Sequence, residues 1–137
     1  MMMVAEKKIQ AHGVETLAVK TDVRRVESVE ALLAASVKRF GRVHVICNNA
    51  GVGGGGLLAR TQLVDWQWVL GVNLWGVVHG VRLFTPMMLQ AAQQDPTWQG
   101  HIVNTASMAG LLTPPNMGIY NVTKHAVVAL TETLYQD

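Results

Sequence analysis

The sequence predicts an α/β domain built on a parallel sheet. Segments that favour strands alternate with longer segments whose apolar residues recur at helical spacing, and this alternation is typical of parallel sheets. The two clearest strand candidates are short apolar runs, residues 43–47 and 101–106, which end in polar or small residues. Half of the 137 residues are hydrophobic and only 15% are charged, which suits a sheet packed between helices. We therefore expect one domain over residues 1–137.

The boundaries of the elements are predicted from the residues that begin or end a helix. Gly13 stops the first helix, Ser28 is expected to cap the second, and Gly41 to end it. Asp95 ends the third helix, because a residue before proline disfavours helical geometry. In chain order the sequence predicts helix 2–12, strand 14–19, helix 28–40, strand 43–47, helix 63–94, strand 101–106 and helix 118–135.

Charge and hydropathy exclude several classes of function. A net charge of +2 with scattered basic residues leaves no electrostatic footprint for nucleic acid or for a membrane surface. No run of eighteen apolar residues is present to cross a bilayer, and residues 1–5 are too few for the apolar core of a signal peptide. We therefore expect a cytoplasmic protein without a nucleic-acid or membrane partner.

The single cysteine and the histidines give no sign of a disulfide or a metal site. Cys47 has no cysteine partner, and its place in a predicted buried strand favours an inert core thiol. His101 and His125 lack partners at metal-ligand spacing. We expect no metal site in this chain.

Tyr120 and Lys124 are the strongest candidates for chemistry. They lie four residues apart, so they share one face of the predicted helix 118–135. An ammonium beside a phenol favours the phenolate, which a tyrosine needs if it is to exchange a proton with a substrate oxygen. Ser107, thirteen residues before Tyr120, could hydrogen-bond the same oxygen. Together the three residues predict interconversion of an alcohol and a carbonyl. Taken alone, Lys124 could be a solvated lysine packed over the Tyr120 ring, and Ser107 could be a serine at a strand end or in a turn.

Further polar residues lie where an open parallel sheet binds its ligands, beyond the carboxyl ends of the strands. Residues 48–51, Asn-Asn-Ala-Gly, follow one predicted strand, and Ser107 follows the next. Asn73 is an isolated polar residue within the apolar helix 63–94. It either hydrogen-bonds backbone in the core or serves the same site.

In order and spacing, these motifs resemble those of the classical short-chain dehydrogenases/reductases. The resemblance covers essentially all 137 residues but only part of the family's domain. It implies a Rossmann-like doubly wound parallel sheet that is incomplete, with the first two strands and the C-terminal strands absent. The matching residues are Asp22, Val23, Asn48, Asn49, Ala50, Gly51, Asn73, Ser107, Tyr120 and Lys124.

The turn that binds the cofactor pyrophosphate in this family has no counterpart in the sequence. Family members begin with a strand and a glycine-rich turn at a helix N-terminus, and no such turn precedes Asp22. The run 53–56, four glycines, follows a later strand, so we interpret it as a flexible loop. The residue that selects NAD or NADP normally ends the family's second strand. Because that strand has no counterpart in this sequence, the preference between NAD and NADP stays open.

The resemblance assigns a role to each matching residue. The cofactor is NAD or NADP, which supplies or accepts hydride. Tyr120 exchanges the proton, Lys124 supports the phenolate and hydrogen-bonds the nicotinamide ribose, and Ser107 stabilises the substrate oxygen. Asn73 bends its helix and holds a water in a proton relay. The cofactor-binding residues are Asp22 and Val23 at the adenine end, Asn49, Ala50 and Gly51 on the adenosine–ribose side, and Tyr120 and Lys124.

The same resemblance implies a substrate class and an assembly. The substrate is a secondary alcohol or ketone, and the mostly apolar loop 108–119 hints at a hydrophobic one. The helices that match 63–94 and 118–135 pair across subunits in the family, which implies a homodimer or homotetramer of the full-length form.

Alternative interpretations remain. Asp22 could simply cap a helix or lie in a turn. The chain could be a catalytically inactive truncated product or an interaction fragment, and we expect that alone it neither binds the cofactor tightly nor turns over substrate. A non-enzymatic nucleotide sensor is a third possibility, against which the intact set of Ser107, Tyr120 and Lys124 argues.

Overall fold

Helices dominate the architecture and pack around one small two-stranded sheet, chiefly on one of its faces. The computed structural model describes residues 2–137, without side-chain detail at positions 2, 3 and 5. A π-helical segment, Gly71–Trp75, joins the third helix to the fourth, and 3-10 turns cover Leu58–Arg60 and Met108–Gly110. The helices and strands are α1 (Met2–Gln10), α2 (Val26–Phe40), β1 (Val45–Asn48), α3 (Leu63–Leu70), α4 (Gly76–Gln94), β2 (His101–Asn104) and α5 (Gly118–Gln136).

The two strands run parallel and end at the same edge of the sheet. Val45 pairs with His101 and Asn48 pairs with Asn104. The Thr105 N–H extends the ladder by donating to the Asn48 carbonyl oxygen at 3.1 Å. The prediction of an α/β arrangement with a parallel sheet is confirmed, and the carboxyl ends of both strands meet where the candidate site residues follow them.

Only one face of the sheet is covered. The helix α4 packs so closely on the face bearing Asn48 that a side chain at Gly80 would overlap the Asn48 amide. On the opposite face Val45 is 54% exposed and Val103 47% exposed, and Cys47 is also exposed. The predictions of fully buried strands and of a buried cysteine are therefore wrong, because the described part of the chain leaves about half of the Val45 and Val103 surface, and Cys47, exposed.

Residues 14–19 form no strand, contrary to the prediction, although the helix before them is present as α1. A strand is held by hydrogen bonds to a neighbouring strand, and β1 and β2 pair only with each other among the described residues. The segment is not helical, in agreement with its apolar pattern, but such a pattern does not supply the neighbouring strand that a strand needs.

The second helix begins two residues earlier than predicted. Its N-cap is Arg25, and Ser28 lies inside the first turn, where its Oγ accepts a hydrogen bond from the Asp22 N–H at 2.9 Å. The serine therefore fixes the preceding loop rather than the helix end. Gly41 ends the helix as predicted, with a φ of 78° that favours glycine.

The remaining helices form the core. The predicted helix over 63–94 is confirmed as one helical run from α3 through the π segment to α4, and the predicted helix over 118–135 is confirmed as α5. Among residues 2–137, none of the helices is both long and apolar enough to span a membrane. The buried apolar side chains on these helices are Val69, Val72, Val77, Phe84, Met88, Ile119 and Val127.

Candidate active site

Tyr120 and Lys124 lie side by side at the start of α5. The Lys124 Nζ is 5.6 Å from the centre of the Tyr120 ring, which is within range of cation–π attraction. Lys124 is only 5% exposed, and its ammonium donates a hydrogen bond to the Thr105 carbonyl oxygen at 2.7 Å. A buried charge needs a partner of this kind. The structure thus brings the two side chains together as their spacing predicts.

Ser107 lies directly after β2, at the start of the turn Met108–Gly110. Its Oγ accepts a hydrogen bond from the Ala109 N–H at 3.1 Å, which leaves the hydroxyl proton free to be donated to a ligand oxygen. The turn is packed tightly on α5, because a Cβ added at Gly110 would lie 2.7 Å from the Lys124 carbonyl oxygen. The segment that carries Ser107 is therefore anchored to the part of α5 that carries Lys124.

Asn73 lies at the centre of the π segment and is 1% exposed. Its Oδ1 accepts from the Val52 N–H at 2.8 Å, and its Nδ2 donates to the Val52 carbonyl oxygen at 2.9 Å and to the Thr123 Oγ1 at 3.2 Å. The π segment interrupts the α-helix at the residue where the family resemblance implies a bend, and such segments are frequent at functional sites. Both amide hydrogens are engaged, so the side chain clamps the loop after β1; its place in a water relay stays a prediction.

The loop after β1 passes between Asn73 and Lys124. A Cβ added at Gly51 would lie 3.6 Å from the Asn73 Oδ1 and 4.0 Å from the Lys124 Nζ. Asn49 and Ala50 precede it and are exposed. Gly51 therefore lies near Lys124, whereas the contacts of Asn49, Ala50 and Gly51 on the adenosine–ribose side of a cofactor, and of Lys124 with the nicotinamide ribose, stay predictions.

Thr105 connects the ends of both strands to Lys124. Its N–H donates to the Asn48 carbonyl oxygen at 3.1 Å, and its hydroxyl donates to the Asn49 Oδ1 at 2.9 Å. Its carbonyl oxygen accepts the hydrogen bond from the Lys124 ammonium. One residue thus ties the sheet edge to the buried cation.

Asp22 is committed to a salt bridge with Arg24. The carboxylate accepts hydrogen bonds from the Arg24 backbone N–H at 3.1 Å, from its Nε at 3.0 Å and from its Nη2 at 2.7 Å. The side-chain hydrogen bonds, followed by the backbone one, lower the pKa of Asp22 from 3.8 to about 2. The guanidinium also lies 4.5 Å over the Trp68 ring. These contacts are those of a turn residue, and adenine binding by Asp22 stays a prediction.

Val23 and the first residues of the loop after β1 line one cavity. Val23 packs against α4, since a Cβ at Gly76 would lie 2.9 Å from the Val23 Cγ2. The cavity has a volume of about 260 Å³ and includes Asn49 and Ala50 in its wall. Val45, Ile46 and Cys47 of β1 and Val29 and Leu32 of α2 also line it, so the cavity lies between the strand and that helix. Among residues 2–137, however, no glycine-rich turn at a helix N-terminus is present to bind a pyrophosphate.

Two threonines organise this site that no sequence pattern predicted. The pattern places Thr105 only within a strand, and its carbonyl contact with Lys124 depends on the sheet register. Thr123 is fully buried and bonded to Asn73, fifty residues away in sequence. Its position next to Lys124, on the inward side of α5 as a polar residue among apolar ones, was the available signal.

Known proteins share sequence with nearly the whole of this chain. The family model described as short chain dehydrogenase matches residues 2–137. An uncharacterised NAD-dependent oxidoreductase of Mycobacterium tuberculosis is 38% identical over 128 residues, which are 93% of this chain and 45% of the relative. A 3-oxoacyl-(acyl-carrier-protein) reductase of Staphylococcus epidermidis is 34% identical over 131 residues, which are 96% of this chain and 51% of the relative. The chain thus spans about half the length of these relatives.

Solved structures show the same fold. A short-chain dehydrogenase/reductase from Burkholderia phymatum in complex with NAD is 52% identical and superposes with a TM-score of 0.94, covering 99% of this chain and 47% of that one. An NAD⁺-bound xylitol dehydrogenase is 34% identical with a TM-score of 0.88, covering 97% of this chain and 49% of that one.

Proposed function

Because this chain belongs to the short-chain dehydrogenase family, we propose that its residues catalyse NAD(P)-dependent interconversion of a secondary alcohol and a ketone. The observation that carries the proposal is the buried Lys124 ammonium, held 5.6 Å from the Tyr120 ring on the same face of α5. Ser107 contributes a hydroxyl that accepts from the Ala109 N–H and whose proton has no acceptor in the described part of the chain. Since the chain spans about half the length of its relatives, the activity is proposed for a chain that also contains their remaining parts.

The proton chemistry follows from these three side chains. When bound, the cofactor supplies or accepts hydride at the substrate carbon. In the reductive direction, Tyr120 donates its phenolic proton to the substrate oxygen, and Ser107 donates a hydrogen bond to the same oxygen as its charge develops. The Lys124 ammonium stabilises the phenolate that remains. In the oxidative direction the phenolate accepts the proton of the alcohol.

Different residues are proposed to contact different parts of the cofactor. A Cβ added at Gly51 would lie 4.0 Å from the Lys124 Nζ, which supports one cofactor that contacts the Asn49–Gly51 segment on its adenosine–ribose side and Lys124 at its nicotinamide ribose. Val23, Asn49 and Ala50 share the apolar cavity, which supports an adenine there. The family and its NAD-bound members support NAD or NADP as the cofactor.

We propose a hydrophobic substrate. The loop after β1 meets the loop after β2 through a hydrogen bond from the Gly56 N–H to the Asn116 carbonyl oxygen at 2.8 Å. Between these loops lies a cavity of about 350 Å³ that includes Leu57, Leu58 and Pro115 in its walls. Met108 and Leu111 add exposed apolar surface after Ser107. Apolar walls of this kind stabilise a bound hydrocarbon group by burying it.

The test uses a chimera, in which residues 1–137 replace the matching half of the 52% identical Burkholderia phymatum enzyme. We expect NAD(P)-dependent turnover of a secondary alcohol. Tyr120→Phe should lower kcat by about two to four orders of magnitude, because only the proton-transfer group is lost. The affinity for the cofactor should stay nearly unchanged. Turnover by Tyr120→Phe within a few-fold of the unsubstituted chimera would contradict the assignment.

Assembly through the helices is also proposed. Several apolar side chains on α3, the π segment, α4 and α5 point to solvent in the single chain, and the family resemblance implies that these helices pair across subunits. We expect the chimera to sediment as a dimer or tetramer, and a monomer at micromolar concentration would count against the pairing. The exposed side chains are Leu63, Val64, Trp75, Leu89 and Val122.

A second candidate function is an inactive interaction fragment. The observation that favours it is the uncovered face of the sheet, with Val45 and Val103 about half exposed, and β1 with one unpaired edge among the described residues. Exposed strand edges pair with other chains. An inactive chimera together with a self-associating 137-residue chain would favour this alternative.

A further inference from the structure

Thr123 has the contacts of a residue that joins other parts of the site. It is fully buried, with an exposed fraction of 0%. Its Oγ1 accepts a hydrogen bond from the Asn73 Nδ2 at 3.2 Å and donates one to the Tyr120 carbonyl oxygen at 2.9 Å. The hydroxyl therefore uses both its acceptor and its donor capacity on two residues assigned to the site.

The hydrogen bonds around Thr123 form a chain through three parts of the fold. Asn73 holds the Val52 backbone by its N–H and its carbonyl, at 2.8 Å and 2.9 Å. The loop after β1 is thereby joined to the π segment, and the π segment is joined through Thr123 to the first turn of α5. Gly51, which precedes Val52, is the residue that approaches both Asn73 and Lys124.

We propose that Thr123 is a positioning residue for the proton-transfer pair. This proposal rests on the proposed function. Thr123 acts by fixing the first turn of α5 against Asn73. The turn that holds Thr123 also carries Tyr120 and Lys124, so the hydroxyl sets where the phenol and the ammonium stand relative to the Asn49–Gly51 segment. Without it, the Asn73 amide hydrogen and the α5 turn lose their common partner.

Thr123 could instead have a purely local role in the helix, in which case its removal should affect kcat no more than removal of another helical threonine. Helical threonines often bond a carbonyl one turn back without any wider role, and Thr133 on the same helix does so, donating to the Ala129 carbonyl oxygen at 2.8 Å. Thr133 is exposed and has no second partner in the described chain. It is therefore the matched control, since it shares the helix, the residue type and the back-bond.

The experiment compares Thr123→Val, Thr123→Ser and Thr133→Val in the chimera. Valine keeps the shape of threonine and removes the hydroxyl, whereas serine keeps the hydroxyl. For Thr123→Val we expect kcat to fall about tenfold, which corresponds to about 1.4 kcal/mol of transition-state stabilisation. KM for the cofactor should change less than about threefold, because Thr123 does not line the cavity of Val23, Asn49 and Ala50 that is proposed for the adenine.

Rescue by serine separates positioning from general loosening. Thr123→Ser keeps the hydroxyl and loses only a methyl group, so it should restore kcat to within a few-fold of the unsubstituted chimera. Thr133→Val should match the unsubstituted chimera. Equal kcat for Thr123→Val and Thr133→Val, or a Thr123→Ser variant as slow as Thr123→Val, would overturn the proposal.

Two further measurements keep the outcome decisive. If Thr123→Val fails to fold, Thr123→Cys replaces it with the same expectations, since a thiol is a weak hydrogen-bonding group of similar size. Hydrogen exchange of the Val52 amide in the 137-residue chain tests the link without any activity. We expect faster exchange in Thr123→Val than in Thr133→Val, and equal exchange would overturn the link. An inactive unsubstituted chimera would instead count against the proposed function.

Discussion

Gly110→Ala is expected to disturb the site through a single added methyl group. Gly110 closes the turn that begins after Ser107, and this turn rests on α5. The added Cβ would lie 2.7 Å from the Lys124 carbonyl oxygen, 2.9 Å from the Val128 Cγ2 and 3.1 Å from the Lys124 carbonyl carbon. Two of the three neighbours are backbone atoms of a helix, which cannot rotate away as a side-chain tip can.

The size of the effect follows from these distances. Ordinary contact begins at 3.4 Å, so the turn must move away from α5 by about 0.7 Å, the difference from 2.7 Å. Overpacking of this kind costs about 1–3 kcal/mol of folding free energy. A misplacement of about 1 Å in a reacting group can cost up to about a hundredfold in rate. We therefore expect kcat to fall about ten- to a hundredfold while KM for the cofactor changes little.

The assay measures kcat and urea unfolding of the chimera, with Gly53→Ala as the matched control. A Cβ at Gly53 meets nothing within 4 Å, so that variant should keep its activity and change in stability by less than about 1 kcal/mol. If Gly110→Ala and Gly53→Ala have the same kcat and the same unfolding midpoint, the turn does not position Ser107 against α5 in the way described above.

Two other predictions concern Asp22 and the isolated chain. Because the folded pKa of Asp22 is depressed, its bridge to Arg24 stabilises the fold above the ordinary pKa and is lost as pH falls through about 2. Arg24→Met should move the Asp22 carboxyl titration, followed by NMR, from about 2 towards 3.8; an unmoved midpoint would exclude Arg24 as the cause. The 137-residue chain alone should show no saturable NADH or NADPH binding at micromolar concentration, measured by tryptophan fluorescence with the chimera as positive control. Saturation in that range would show that the glycine-rich turn is dispensable.

The sequence predicted correctly those features that are determined by residues close together in the chain. The helices 63–94 and 118–135 were found because apolar spacing and terminating residues act within a few residues. The pairing of Tyr120 with Lys124 followed from helix geometry alone. The strand at 14–19 was wrong because a strand depends on a neighbour that spacing does not supply. Ser28 was misplaced because a serine near a helix start can bond the preceding loop as readily as the helix.

The contacts that organise the site could not be predicted either, because they join residues that are far apart in the sequence. Asn73 stood out as polar in an apolar helix, yet its partner Val52 lies twenty-one residues earlier, in a loop with no pattern of its own. The exposure of Cys47 depended on which face of the sheet the helices cover. Each of these is a property of how elements meet rather than of any one element.

The carbonyl of Thr105 has a consequence for how this site tolerates sequence change. Lys124 is held by a main-chain oxygen, and every residue type carries that oxygen. Substitution of the Thr105 side chain removes the bond to Asn49 but leaves the acceptor of the lysine in place. The anchor of the buried cation is thus encoded in the register of β1 with β2 rather than in a residue identity. Related chains could therefore vary at this position while retaining the same lysine geometry, whereas a one-residue slip of the sheet would remove it at once.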